Sequence, residues 1–326
     1  MPKLRLMFMT LYAFLLTATA SPRAEDPKLQ VNVFAEAQNL PLFVAQDQGL
    51  FERHHLDVEV TFTPTSAAQR EGLVKGSFDI AQAGVDNAVA LAQGAKQDVI
   101  IVAGGGNGGN HLFVRPEIKS YQDLRGKAVV VDAPNTAYAF LACKMLELKD
   151  LRKDQDYAVL PVGGCVQRLP AMQSDPRNAA AMLNPPCSLM AAKDRFNDFG
   201  AAIDVVGPYQ ADGIWVMRPW ATAHSDILGQ YLQALIEGYR WAAEPAHRQE
   251  AASILGRRLK IAPEFTAGAV EAAIGPHGSL AKDLHFDMEG FRNTLKLRAE
   301  FAGGDKDADP ARYVDFVYYD RALAGL

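Results

Sequence analysis

Residues 29–62 read LQVNVFAEAQNLPLFVAQDQGLFERHHLDVEVTF, and their pattern decides the fold. Two short apolar runs, Leu29–Phe34 and Leu56–Phe62, flank a helical stretch at Pro41–Arg53. Pro41 suits the first turn of a helix, where its missing N–H would have had no partner anyway. A strand, a helix and a second strand in succession form the unit of a parallel sheet, because parallel strands need a crossover between them.

The same alternation runs outward from this unit. Further strands are expected at Phe78–Ala83, Asp98–Ala103, His111–Arg115, Ala128–Asp132, Ala158–Val162, Ala179–Leu183, Ala202–Val206 and Gly213–Met217. Several are continuous apolar runs, as in strands covered on both faces. Thr136–Lys149 carries apolar residues at helical spacing. The expected class is α/β, with a mostly parallel, wound sheet. From Trp220 to Leu326 the pattern is helical, at about 220–243, 246–258, 263–273 and 287–302, with no strand. Parallel sheets bind ligands at the carboxyl ends of their strands. This helical C-terminal region is therefore expected to buttress a lobe rather than build a site.

Two places look like crossings between lobes: the glycine-rich run Gly104–Asn110 before His111–Arg115, and Gly207-Pro208-Tyr209 before Gly213–Met217. They divide the chain into a discontinuous first lobe, 28–110 and 212–326, and a second lobe, 115–208. Two crossings make a hinge that can close over a ligand. A chain of this length also favours two domains.

The N-terminus reads as an export signal over residues 1–20. Lys3 and Arg5 precede an apolar run, and Ala18-Thr19-Ala20 has the small-x-small pattern of a cleavage site. The run is shorter than the roughly 20 residues that span a bilayer. Removing Lys3 and Arg5 takes the formal charge from −5 to −7. A mildly acidic chain without a basic run argues against nucleic acid. Cys143, Cys165 and Cys187 are an odd number, so at least one thiol stays free or pairs outside the chain. Cys187 reads as a buried, inert thiol.

The residues resemble a known family. Asn39–Ala45 with Gly49-Leu50-Phe51, then Leu56–Val60, Gly76–Ala81 and Asp123–Lys127, resemble in order the segments of the nitrate, sulfonate and taurine class of periplasmic binding proteins, which also includes thiamine-pyrimidine precursor binders. The resemblance implies a two-lobed, type II periplasmic-binding-protein fold and a periplasmic location. It also implies the permease and ATPase of an ABC importer as partners, met by peripheral docking at the inner membrane. The expected protein is a monomer and not an enzyme, without cofactor or metal. It would capture a small polar organic molecule or anion, of the sulfonate, nitrate, pyrimidine or aromatic-acid class. The alternatives are a pyrimidine-precursor biosynthetic enzyme on the same fold, for which no clustered cysteines are present, and the ligand-binding subunit of a periplasmic sensor.

Loops after the strands of two facing lobes should line the cleft. In the first lobe these carry Glu36, Gln38, Asn39, Thr65, Ser66, Asp86 and Asn87; in the second, Asn135, Thr136, Tyr138 and Asn184. Small polar residues at helix starts leave backbone N–H groups for an anion, although the same residues also cap helices. Asn107, Asn110 and His111 add side chains beside the glycine-rich crossing, which formally contains GxGxxG. A strand follows that motif instead of the helix a dinucleotide site needs. Tyr138, Tyr209 and Trp215 offer rings for stacking. Arg168 can pair with an anion through its planar fork or sit solvated at the surface. If the acids Glu36, Asp86 and Asp132 face the cleft, they weigh against a bare sulfonate or nitrate and favour a neutral, zwitterionic or nitrogen-rich heterocyclic ligand. None of the seven histidines has a metal-site spacing, and GxSxG and P-loop motifs are absent.

Overall fold

The structure, a computed structural model, describes residues 26–326; the export signal at 1–20 lies outside the described residues. The first strand–helix–strand unit is β1 (Lys28–Val33), α1 (Leu40–Asp47), α2 (Leu50–Arg53) and β2 (Asp57–Phe62). The helix expected over 41–53 is two helices, because Gly49 turns the chain with φ 65°. There follow α3 (Ser66–Val74), β3 (Ile80–Gly84), α4 (Val85–Gly94) and β4 (Val99–Gly106). After the first crossing come β5 (His111–Val114), β6 (Lys127–Val131), α5 (Ala137–Glu147), β7 (Tyr157–Pro161) and α6 (Cys165–Ser174). Next are β8 (Asn178–Leu183), α7 (Cys187–Lys193), β9 (Asn197–Ala201) and α8 (Ile203–Val206), and then β10 (Asp212–Met217) returns to the first sheet. The remainder is helical: α9 (Arg218–Ala223), α10 (Ser225–Ala243), α11 (Arg248–Leu259), α12 (Pro263–Ile274), α13 (Met288–Ala302) and α14 (Val317–Ala324).

Two five-stranded sheets result, ordered β2-β1-β3-β10-β4 and β7-β6-β8-β5-β9. They are mixed rather than mostly parallel. The β1–β2, β1–β3, β6–β7 and β6–β8 pairs are parallel, but β10 runs against β3 and β4, and β5 against β8 and β9. Each reversed strand is the first one laid down after a crossing. A chain arriving from the other sheet enters at the facing edge and must run away from it, opposite to its neighbours.

Each sheet has its own core. Leu29, Val31 and Val33 pack with Leu40, Phe43 and Val44 of α1 and with Tyr231, Leu232 and Leu235 of α10. Leu112, Val114, Val129 and Val131 pack with Phe140 and Leu141 of α5. Burying one such side chain contributes about 1.5–3 kcal/mol.

Three further expectations are corrected. The run Ala202–Val206 is helical: pairing of β9 with β5 ends at Ala201, and the amides of Val205, Val206 and Gly207 turn back onto the carbonyls of Ala202 and Ile203. A short apolar run does not by its periodicity distinguish strand from helix. The C-terminal region does more than buttress one lobe. Leu297 of α13 joins the core of the second sheet while Phe291 and Leu295 join a core of the first, and Phe301 stacks on Phe140. Finally, Cys187 is no free thiol. It is bonded to Cys165 with their Cα atoms 6.0 Å apart, an ordinary disulfide separation, and Cys143 is the buried free cysteine.

Candidate functional site

The two sheets present strand ends and helix starts to each other across a cavity. From the first sheet, Phe34 and Glu36 follow β1, Ser66 opens α3, and Asp86 and Asn87 open α4. From the second, Asp132 follows β6, Thr136–Tyr138 begin α5, and Gly164 and Arg168 belong to the start of α6. Asp212 enters at the first position of β10. The void is about 30 Å³, room for on the order of two water molecules.

Direct hydrogen bonds hold the halves together. Ser66 Oγ donates to Asp132 Oδ2 at 2.5 Å, the Gly164 N–H to the Pro64 carbonyl at 3.1 Å, and the Ala37 N–H to the Pro185 carbonyl at 3.0 Å. A polar chain extends from the first of these. Asn87 Nδ2 donates to Ser66 Oγ at 3.1 Å, Arg70 Nη1 to Asn87 Oδ1 at 2.6 Å, and Thr136 Oγ1 to Asp132 Oδ1 at 2.6 Å. Beside it, Arg298 Nη1 lies 3.0 Å from both oxygens of Asp86, a pair supplied by α13.

Arg168 differs from every other cation in the cleft. It is 1% exposed, one turn into α6. Its Nη1 donates to the Gly163 carbonyl at 3.2 Å, and its guanidinium lies 5.5 Å from the Tyr138 ring centre. Its Nε and Nη2 have no hydrogen-bond partner, and no carboxylate lies within ion-pair distance among the described residues. A buried guanidinium with unpaired N–H groups is costly unless something supplies acceptors. The starts of α4, α5 and α6 have no side-chain cap, so the positive ends of three helix dipoles add to it. Thr65, by contrast, caps α3 by accepting from the Ala68 N–H at 3.1 Å.

Burial sets the acids. It raises Glu36 to about 7, against the opposing pull of Arg168. Burial, followed by repulsion from Glu36, holds Asp212 well above the ordinary carboxylate range. Asp86 is raised by burial that its Arg298 partner only partly offsets.

Of the residues expected to bind ligand, Glu36, Ser66, Asp86, Asn87, Thr136 and Tyr138 line this cavity. The others are elsewhere, each for a visible reason. Gln38 and Asn39 line a neighbouring recess; Gln38 Nε2 donates to the Gly108 carbonyl, and Asn39 Nδ2 to the Phe34 carbonyl, so both brace loops. Asn107, Asn110 and His111 line a second cavity of about 330 Å³ beside α7 and α12. The glycines preceding them serve packing: a Cβ at Gly104 or Gly106 would collide with the carbonyls of His285 and Ser279. Asn135 is exposed. Asn184 is fully buried and donates to the Tyr138 hydroxyl at 3.3 Å. Tyr209 and Trp215 are core residues, buried at 3% and 0%. The residues that sequence reasoning left out or underweighted are Asp212, Arg298 and Arg168. For Arg168, a lone arginine in the turn after Gly163-Gly164 was the available signal.

Comparison with known proteins supplies the relatives. Residues 22–159 match the model of the NMT1-like family. The bicarbonate-binding protein CmpA of Synechococcus elongatus is 22% identical over 273 residues, covering 74% of this chain and 60% of that protein. The chain thus spans about 60% of the length of the curated relatives it matches. Among solved structures, a Bordetella bronchiseptica protein superposes with a TM-score of 0.80 at 21% identity, covering 92% of this chain and 98% of its own. The periplasmic nitrate-binding protein NrtA of Synechocystis superposes at 0.76 with 13% identity, covering 92% of this chain and 89% of its own. The fold is the two-lobed fold of periplasmic binding proteins.

Proposed function

We propose that this chain is the solute-binding component of an ABC-type importer and that it holds a small anion between its lobes. The observation that carries the reading is Arg168: a guanidinium 1% exposed, with Nε and Nη2 unpaired, belonging to the lining of the inter-lobe cavity. The named relatives are binding proteins for small oxyanions, bicarbonate in CmpA and nitrate in NrtA. Two uncapped helix starts on the Arg168 side and one on the Asp86 side favour the same charge.

In this reading the lobes are 28–110 with 212–326, and 115–208. Solute enters when they part, and closure makes the Ser66–Asp132, Gly164–Pro64 and Ala37–Pro185 bonds over it. Peripheral docking on a permease and its ATPase belongs to the same proposal, as do a monomeric state and export to the periplasm. The Cys165–Cys187 disulfide supports an oxidising compartment.

The test is thermal denaturation and calorimetry of the purified protein with hydrogencarbonate, nitrate, formate and methanesulfonate. A solute that binds only the folded state stabilises it by about 2.7 kcal/mol at a hundredfold excess over Kd. At least one anion should raise Tm, and Arg168→Met should remove the shift. If no anion shifts Tm, or the shift survives Arg168→Met, the proposal fails.

A further inference from the structure

We infer that the lobes part along one flank only: the seam between α7 and α12 opens, while α13 and α5 stay in contact as the pivot. This rests on reading the chain as a binder whose lobes part to admit solute, and it names the side on which they do so. Neighbouring residues of a strand point to opposite faces of its sheet. In the second sheet Leu112, Val114, Val129 and Val131 pack with α5, whereas Phe113, Val130 and Ala181 pack with Leu169 of α6 and with Cys187 and Ala191 of α7. In the first sheet Ile100 and Val102 share a core with Ala269, Val270 and Ala273 of α12, whereas Val99 and Ile101 share one with Phe291 and Leu295 of α13. The lobes therefore meet on two opposite flanks, α13 against α5 and α12 against α7.

The two seams are built differently. On the α13 flank, Leu297 is buried in the core of the second sheet, the rings of Phe301 and Phe140 stack 6.0 Å apart, and Lys144 Nζ donates to Glu300 Oε1 at 2.7 Å. The same helix holds the second crossing: Asn293 Nδ2 donates to the Pro208 carbonyl at 2.8 Å and Thr294 Oγ1 to the Gln210 carbonyl at 2.9 Å. Parting here would expose apolar core and strip these bonds. On the other flank the joint is one apolar knob and one exposed charge pair. Leu189 of α7 packs on the core of the first sheet beside Gly268, where an added Cβ would lie 3.2 Å from Leu189 Cδ1. Lys193 pairs with Glu264 and lies 5.2 Å from the centre of the Phe265 ring, and both charged side chains are more than half exposed. Exposed pairs of this kind hold weakly. Recesses of about 330 and 470 Å³ adjoin this seam, each lined by both α7 and α12, so much of it is not in contact. Because the disulfide ties α6 to α7, Arg168 travels with the edge that moves.

Pulsed dipolar spectroscopy of the full, oxidised chain tests this with nitroxide pairs at exposed positions. One pair, Ala192→Cys with Ala267→Cys, spans the α7–α12 seam; the other, Leu148→Cys with Ala302→Cys, spans the α5–α13 seam, each in a Cys143→Ser chain. Without added solute, the first pair should show a population several ångströms longer than the structure's separation, and the second a single separation that matches it. Gly268→Leu, whose side chain would press on Leu189, should enlarge the longer population. A second pair that lengthens as much as the first overturns the inference, as do two pairs that both stay at the structure's separations. An unchanged distribution in Gly268→Leu overturns the place of Leu189 in the seam. If the first pair lengthens and none of hydrogencarbonate, nitrate, formate and methanesulfonate draws it together, this inference stands and the anion reading fails.

Discussion

Arg168 in the cavity wall and Arg298, which pairs with Asp86 of that wall, are both buried, at 1% and 8% exposure, yet they live in opposite electrostatic circumstances. Arg298 reaches in from α13 and shares one N–H group between both oxygens of Asp86. Arg168 has a backbone carbonyl and the face of Tyr138, and no carboxylate within ion-pair distance among the described residues. The first is a finished structural pair that fixes the start of α4 and ties the C-terminal helix to the cleft floor. The second is an unfinished one, which the proposed solute would complete. Residue type and burial alone do not separate these two cations; the count of unsatisfied N–H groups does.

The largest effect should come from breaking the finished pair. Arg298→Ala strands Asp86 and should cost about 3–5 kcal/mol of stability by chemical denaturation. If it costs less than about 1 kcal/mol, the contrast between the two arginines is void. Arg168→Met should do the reverse: the ligand-free fold is unchanged or slightly more stable, while anion affinity falls by about 2–5 kcal/mol in a calorimetric titration.

Reducing the Cys165–Cys187 bond sharpens the contrast, since Cys165 begins the helix that carries Arg168. With its ends 22 positions apart in sequence, the bridge should contribute about 3 kcal/mol, read as a drop in stability with reductant. Cys143→Ser should leave that reductant dependence intact.

The smallest effect is the pH dependence of the ligand-free protein. Glu36 titrates near 7 when folded, above its ordinary value of 4.5, so the folded state binds more protons between these values. Its contribution is full below 4.5 and is lost as pH rises through 7. Stability should therefore fall by about 1 kcal/mol between pH 6 and pH 8, and Glu36→Gln should flatten the slope.

Much of the fold was legible because strands and helices announce themselves locally. The expected strands at Leu29–Phe34, Leu56–Phe62 and Ala179–Leu183 lie within a residue or two of β1, β2 and β8. Part of the cavity lining was legible for the same reason: Glu36, Ser66, Asp86, Asn87, Thr136 and Tyr138 follow strand ends or begin helices, and strand ends face the gap. Asn135 and Asn184 satisfied the same rule and missed the cavity, since one faces outward and the other sits behind Tyr138.

The chain's order of apolar runs, turns and helix starts determined by itself that two wound sheets form and which of their ends carry polar loops. These are matters of periodicity and backbone preference acting over ten or so residues. Only the tertiary structure decided that Asp86 is answered by Arg298, more than two hundred residues away, that Asp212 arrives beside Glu36, and that Arg168 is buried with nothing to answer it. The charge state of a cleft depends on which distant side chains meet there in the absence of water, and no local pattern encodes that meeting.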